Sequence, residues 1–389
     1  MRRYLQQLRD AFRKGDRLLL LLCLVATAFG CLMVASATNH AGAERYLVIQ
    51  IGAAVLGVFL YAIISSIDAE FFTEHRTALV IFNSLLLLML IPFGETISGN
   101  RSWLNFPFLP FNIQPAEICK ITYILIMASV MSAHQNRLSS VSSVVHMVLH
   151  LILLVGLNMV LSRDAGVSLI FVFIFVGMAF AGGVNLIWFL LAGGGIALAF
   201  PLLWNYVMDN YQKLRIEALF NPEIDPYGTG VRYDIVRILR SLTGGGMTGQ
   251  GLFEGNRTQQ GALHSQHTDY IFSAIGEELG YLGCILTVVF LGLIVARCIW
   301  VGTRSQDNMR RLICFGAAAA LIFQIVSNVG MCIGVTPVIG LTLPFISYGG
   351  SSLVSLYAMM GLVSGVYARP ASVSHERYIR APYMLKQYR

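Results

Sequence analysis

The chain has 389 residues, 56% of them hydrophobic and only 12% charged, and its mean hydropathy is +0.68. A soluble domain usually carries about 25% charged residues, so this composition excludes a water-soluble globule and identifies an integral membrane protein. The net charge of +7 does not signal nucleic acid, because the basic residues sit mostly at the chain ends and in short loops, and no RNA- or DNA-binding motif accompanies them.

Apolar stretches of bilayer length, roughly 20 residues each, recur about ten times. They lie near 18–37, 46–66, 77–94, 115–134, 143–162, 166–184, 186–206, 271–300, 310–334 and 343–368. Period-2 alternation is absent and lipid demands internal satisfaction of every backbone group, so each is read as a helix. The expectation is an all-α polytopic fold, one integral membrane domain over 1–389. An even count puts both termini on one side. Arg2, Arg3, Arg9, Arg13, Lys14 and Arg17 in segment 1–17, Arg304, Arg310 and Arg311 between spans 8 and 9, and Arg369, Arg377, Arg380, Lys386 and Arg389 in segment 369–389 make that side cytoplasmic. The longest loop, 207–270 between spans 7 and 8, then faces outward. Span 1, with basic residues before it and Ala35-Ser36-Ala37 near its end, imitates a secretory signal, but its apolar core exceeds the usual ~7–15 residues and it is read as an uncleaved anchor. All seven cysteines lie in apolar segments without CxxC spacing, which supports neither a disulfide framework nor a zinc site.

Spans 1 to 3 are nearly featureless aliphatic helices suited to packing. The outward loop ETISGNRSWLNFPFLPFNIQP follows, rich in Gly, Pro and aromatics, which sits at or dips into the interface where Trp103 is comfortable. Arg101 within it either binds a phosphate or snorkels to lipid headgroups. Span 4 opens with Gln114-Pro115-Ala116-Glu117-Ile118-Cys119-Lys120; Pro115 suits the first helical turn, and Glu117 and Lys120, three apart, share a face and can pair. Charged groups inside lipid usually line a cavity. His146 and His150 on span 5 have the i, i+4 spacing of metal ligands, yet no glutamate stands between them and no third ligand is evident, so they are read as packing.

Asp164, in the turn Arg163-Asp164-Ala165-Gly166, is either an N-cap for span 6 or a member of the outward polar site. Gly182-Gly183 and Gly193-Gly194-Gly195 are read as helix-packing surfaces. In the long loop, Val231, Ile235, Ile238 and Leu242 form an apolar stripe on a helix expected to lie on the membrane surface. The glycines 244–246, 249 and 251 then permit either close approach to an anion or a flexible hinge. The segment His264 to Gly280, HSQHTDYIFSAIGEELG, carries His267, Thr268 and Asp269 into span 8, which keeps Glu277 and Glu278 in its first turns. Carboxylates at the mouth of a membrane helix point to function, whether gating, metal binding or stabilisation of the helix. Span 9 brings Gln324 and Asn328. The stretch 336–352, with two prolines and three glycines, is irregular backbone at membrane depth, tolerated only beside protein or a wet cavity.

QPAEICK, HTDYIFSAIGEELGYLG and GVTPVIGLTLPFISYGGSSL, in this order, closely resemble the SEDS membrane glycosyltransferases, the RodA/FtsW/SpoVE group, over essentially the whole chain. Three departures stand out. Ser102 occupies the place before Trp103 where the family has arginine, Arg163-Asp164-Ala165-Gly166 replaces PDLG, and His264 and Ser265 replace Pro and Glu. The resemblance implies polymerisation of lipid II, the undecaprenyl-diphosphate-linked disaccharide-pentapeptide, into peptidoglycan for elongation, division or sporulation. It implies Asp269 as the essential acid, and Glu117, Lys120 and Asp164 as further site residues. His267, Thr268, Arg101, Arg257, Ser347 and Ser351 join them as substrate-binding candidates. The implied partner is a class B penicillin-binding transpeptidase. In such chemistry Asp269 would act as general base for an inverting displacement, and Lys120, Arg101, Arg257 or a divalent cation such as Mg²⁺ or Mn²⁺ would neutralise the leaving diphosphate. A lipid II flippase and a non-catalytic scaffold are the alternatives; the inverted repeats common in transporters are not found.

Overall fold

The computed structural model describes residues 15–369 except 98–99, 107–111 and 209; most of the two basic terminal segments lies outside the described residues. Ten helices are long and apolar enough to cross a membrane. They are α1 (Arg17–Thr38), α2 (Ala43–Ser66), α3 (Arg76–Leu88, continued by a turn to Phe93), α4 (Pro115–Ala133), α5 (Val141–Leu161), α6 (Ala165–Gly182), α7 (Leu186–Leu202), α11 (Ile271–Arg304), α12 (Asn308–Cys332) and α13 (Gly350–Ala368). Between α7 and α11 lie α8 (Asn210–Phe220), α9 (Tyr233–Gly244) and α10 (Asn256–Gln259). The protein is thus an all-α polytopic membrane protein with a long connection between its seventh and eighth spans. Its starts follow local chemistry: Asp16 accepts from Leu19 N, Pro115 opens α4, Asp164 accepts from Val167 N, and Asp307 accepts from Met309 N.

The centre of the bundle is α4, α12 and α13, most of whose residues are buried. Association in lipid rests on close packing rather than on the hydrophobic effect, which favours small residues at these contacts. A Cβ at Gly361 of α13 would stand 2.9 Å from the Tyr61 carbonyl oxygen of α2, so the two backbones run in near contact. By contrast, α7 has no buried residue, and nothing lies within 4 Å of a Cβ added at Gly193, Gly194 or Gly195. The expected packing role of that glycine run is not met among the described residues.

The loop after α3 contains a short hairpin: Gly94–Ile97 (β1) pairs antiparallel with Asn100–Leu104 (β2), and Leu104 bridges Ile113. Two expectations are corrected. The tenth span begins at Gly350, not near 343. Residues 336–349 stay non-helical because side chains answer their backbone: Asn328 Nδ2 donates to Leu341 O at 2.7 Å, and buried Gln50 donates to Ser347 O at 3.0 Å while accepting from Gly349 N at 3.3 Å. Finally, the stripe on α9 is covered by protein. Ile235, Ile238 and Ser241 are buried, and Leu242 closes over Gly276 of α11.

The glycine loop does a third thing, neither anion cradle nor hinge. α11 breaks at Gly280, whose φ of 70° and ψ of −169° are non-helical. Breaking a helix there frees two carbonyls and two N–H groups. Gln250 N and Gly251 N donate to Glu277 O and Glu278 O, both at 3.0 Å, while Tyr281 N and Leu282 N donate to Gly246 O and Met247 O at 2.9 and 3.2 Å. Four cross-bonds stand in for helical ones lost at the break.

Candidate active site

A cavity of about 610 Å³ opens at the end of the bundle that carries the 208–270 segment. Asp269, Asp164, Glu117, His267 and Thr268 line it, five of the residues singled out from the sequence, and Gln114, Gln324, Trp103, Tyr46 and Arg45 line it too. Its walls come from α2, β2, the starts of α4 and α6, the loop before α11, and 340–352.

Asp269 is half-buried and ends the segment that leads into α11, whose N-cap is Tyr270 without a side-chain bond. Asp269 therefore does not cap α11. Its carboxylate accepts no hydrogen bond from the described residues, while the main chain around it is held at three successive carbonyls. Tyr348 N donates to His267 O at 2.8 Å, Ser347 Oγ to Thr268 O at 2.6 Å and Asn328 Nδ2 to Asp269 O at 2.8 Å. A free carboxylate on a clamped backbone is the arrangement a positioned base requires. Burial, with the charge of Asp164 adding to it, raises the Asp269 pKa to about 6.

Asp164 serves two roles at once. Oδ1 caps α6 by accepting from Val167 N at 3.1 Å, and Oδ2 accepts from Ser102 Oγ and Gln114 Nε2, both at 3.3 Å, at the cavity wall. Burial pushes its pKa up, against the lowering effect of the Val167 and Ser102 hydrogen bonds. Glu117 pairs with Lys120 as expected, Nζ to Oε2 at 2.8 Å, and also accepts from Ser355 Oγ. Glu117 reaches the cavity while Lys120 lies behind it, 2% exposed.

The other candidates point elsewhere. Arg101 is exposed and donates to the carbonyls of Gly94 at 3.2 Å and Ile91 at 2.7 Å. Arg257 Nε donates to Ser241 Oγ at 3.0 Å. Ser347 is the clamp on Thr268, and Ser351 is buried with its hydroxyl unpartnered among the described residues. None of these four lines the cavity. Glu277 and Glu278, both 0% exposed, are anchors: Glu277 accepts from Arg257 N at 2.8 Å and from Thr258 N and Oγ1 at 3.0 and 2.7 Å, and Glu278 accepts from Ser36 Oγ at 2.6 Å and Gln259 Nε2 at 3.0 Å. They tie α10 and α1 to the first turns of α11. The His146 ring lies 5.3 Å from that of His134 and 5.2 Å from that of His150, and no group of three or more potential ligands for a metal ion occurs among the described residues.

Arg45, Tyr46 and Gln324 are cavity residues beyond those expected from the sequence, where Gln324 is only a polar residue within its span. Arg45 and Tyr46 stand at the start of an otherwise aliphatic helix, and the packing of Tyr46 on His267 and Tyr348 brings that start to the cavity rim.

Ten helices long and apolar enough to cross a membrane, with an acid-lined cavity at one end of the bundle, define a polytopic membrane protein with a candidate site. The chain belongs to the FtsW/RodA/SpoVE family, described as cell cycle proteins, whose sequence model matches residues 16–370. It is 35% identical over 368 residues to a probable peptidoglycan glycosyltransferase FtsW of Trichlorobacter lovleyi, covering 91% of this chain and 94% of that one. It is 29% identical over 363 residues to the peptidoglycan glycosyltransferase MrdB of Escherichia coli, covering 92% and 95%. Among solved structures, a chain of a peptidoglycan synthase complex described as coordinating polymerization and crosslinking superposes with a TM-score of 0.77 at 27% identity, over 92% of this chain and 99% of that one. This chain is accordingly a membrane glycosyltransferase.

Proposed function

We propose that the protein polymerises lipid II into peptidoglycan strands, with Asp269 as general base. The observation that carries this reading is the unpartnered Asp269 carboxylate, with its pKa near 6, facing a cavity it shares with Asp164 and Glu117. The 4-hydroxyl of one lipid II attacks the anomeric carbon of another. As the new C–O bond forms, the hydroxyl proton passes to Asp269 and the anomeric bond to the diphosphate breaks, its electron pair leaving with the undecaprenyl diphosphate. One displacement inverts the anomeric centre, turning an α-linked donor into a β-1,4 link. Among the described residues Asp164 and Asp269 are the cavity carboxylates without a cationic partner, and a Mg²⁺ or Mn²⁺ held there together with substrate phosphates would supply positive charge to the leaving group. With both termini cytoplasmic, the cavity faces outward, where lipid II is used and where a class B transpeptidase would crosslink the strand.

Two measurements test this. The full chain, purified and supplied with lipid II, is expected to make glycan, while in sealed vesicles it is not expected to move lipid II across the bilayer; translocation without polymerisation would refute the reading. A base works deprotonated, so kcat/KM is expected to rise with pH through about 6 and level off above it. The charge of Asp164 contributes to that raised value, so Asp164→Asn, which keeps a capping side chain, is expected to move this limb to lower pH.

A further inference from the structure

We propose that Arg45 receives the diphosphate of the glycan donor, an inference that rests on the polymerase reading above. Negative charge grows on the diphosphate as the anomeric bond breaks, and a fixed cation at that point lowers the barrier. The three cations expected from the sequence are committed elsewhere: Lys120 to Glu117 at 2.8 Å, Arg101 to two carbonyls of its own hairpin and preceding turn, and Arg257 to Ser241. His267 does line the cavity, but burial, with the charges of His40 and His264 adding, lowers its pKa, so it is neutral at neutral pH. Among the described residues Arg45 is the one lysine or arginine that lines the cavity. Its side chain is exposed and forms neither a hydrogen bond nor an ion pair with any described residue.

Its setting suits a phosphate. Arg45 lies in the first turn of α2, behind Gly42, which provides no side-chain cap, so the positive end of the helix is at the same rim of the cavity. Tyr46 and Ile49 line the cavity as well, which fixes this face of α2 toward it. Tyr46 is packed edge-on against His267 and Tyr348, with ring centroids 4.9 and 5.2 Å apart, so the start of α2 is braced against the loop that carries Asp269. A guanidinium fork at this exposed rim would hold the diphosphate while the sugar reaches inward to the base.

Phospholipid headgroups offer the same phosphate chemistry, so the test separates the two sources. Binding of labelled undecaprenyl diphosphate to the full chain is measured in phospholipid-free detergent and in nanodiscs containing phosphatidylglycerol, alongside lipid II polymerisation. Arg45→Ala is expected to weaken binding and raise KM by roughly tenfold or more in detergent. Arg45→Lys is expected to recover much of the loss, and Glu44→Gln, one residue away and exposed, to change neither. Unchanged binding in Arg45→Ala overturns the proposal, as does an effect confined to phosphatidylglycerol nanodiscs, which assigns the guanidinium to headgroups. If the wild-type chain makes no glycan, the polymerase reading fails, and the binding arm still decides Arg45.

Discussion

Replacing Asp269 by Asn is expected to lower lipid II polymerisation by roughly 10²–10⁴-fold, the usual contribution of a general base, with little change in thermal stability. The substitution keeps size and polarity but removes the capacity to take a proton. Little stability is at stake because the structure gives the Asp269 carboxylate no hydrogen-bond donor to lose; the clamping bonds from Asn328, Ser347 and Tyr348 all go to backbone carbonyls. Burial works against the charged form, so a neutral side chain is, if anything, easier to accommodate. Initial rates of glycan formation and the unfolding midpoint should therefore separate. A variant that polymerises at near wild-type rate would remove Asp269 from the base role, and one that loses rate and folding together would assign it to structure instead.

Gly280→Ala is expected to act in the opposite way, destabilising the protein by about 3 kcal/mol or more. The backbone there, at φ 70° and ψ −169°, is essentially reserved for glycine, and a Cβ would stand 2.4 Å from Gly249 N and 2.6 Å from the Met247 carbonyl. Neither contact can yield without parting the four backbone bonds that join the glycine loop to the break in α11. That loop is followed directly by α10 and its anchors on Glu277, so activity should fall as well. Gly292→Ala is the control, since it lies on the same helix with nothing within 4 Å of an added Cβ and should be neutral or mildly stabilising. Thermal unfolding of the detergent-solubilised variants measures both; equal midpoints would show that the break tolerates a side chain.

Much of the architecture is legible in the sequence. Bilayer-length apolar runs have a single backbone solution in lipid, which is why nine of the ten spans begin within a few residues of their expected places. The tenth is the exception, because Leu343 to Tyr348 is apolar enough to read as helix, yet as open chain its backbone is met by partners that include Gln50 and His267, distant in sequence. The stripe on α9 was read correctly as amphipathic, but periodicity states that a face is apolar and not whether lipid or α11 covers it. At the site, the acidic residues were recognisable because a carboxylate in an apolar context has few uses. Glu277 and Glu278 carry the same signal and are structural anchors, since their function is decided by which donors reach them: Thr258 N, Arg257 N, Ser36 and Gln259.

The sequence by itself determined the membrane class, the number of spans and the acidic residues that the cavity uses, because those follow from composition and from what lipid forbids. Tertiary structure alone decided which charges are available. Lys120, Arg101 and Arg257 are cations in the sequence and are engaged by Glu117, by two carbonyls and by Ser241 in the fold, while Arg45, unremarkable in the sequence, is left facing the cavity. A charge is a property of a residue type, but whether it is free to meet a substrate depends on neighbours brought from tens or hundreds of residues away.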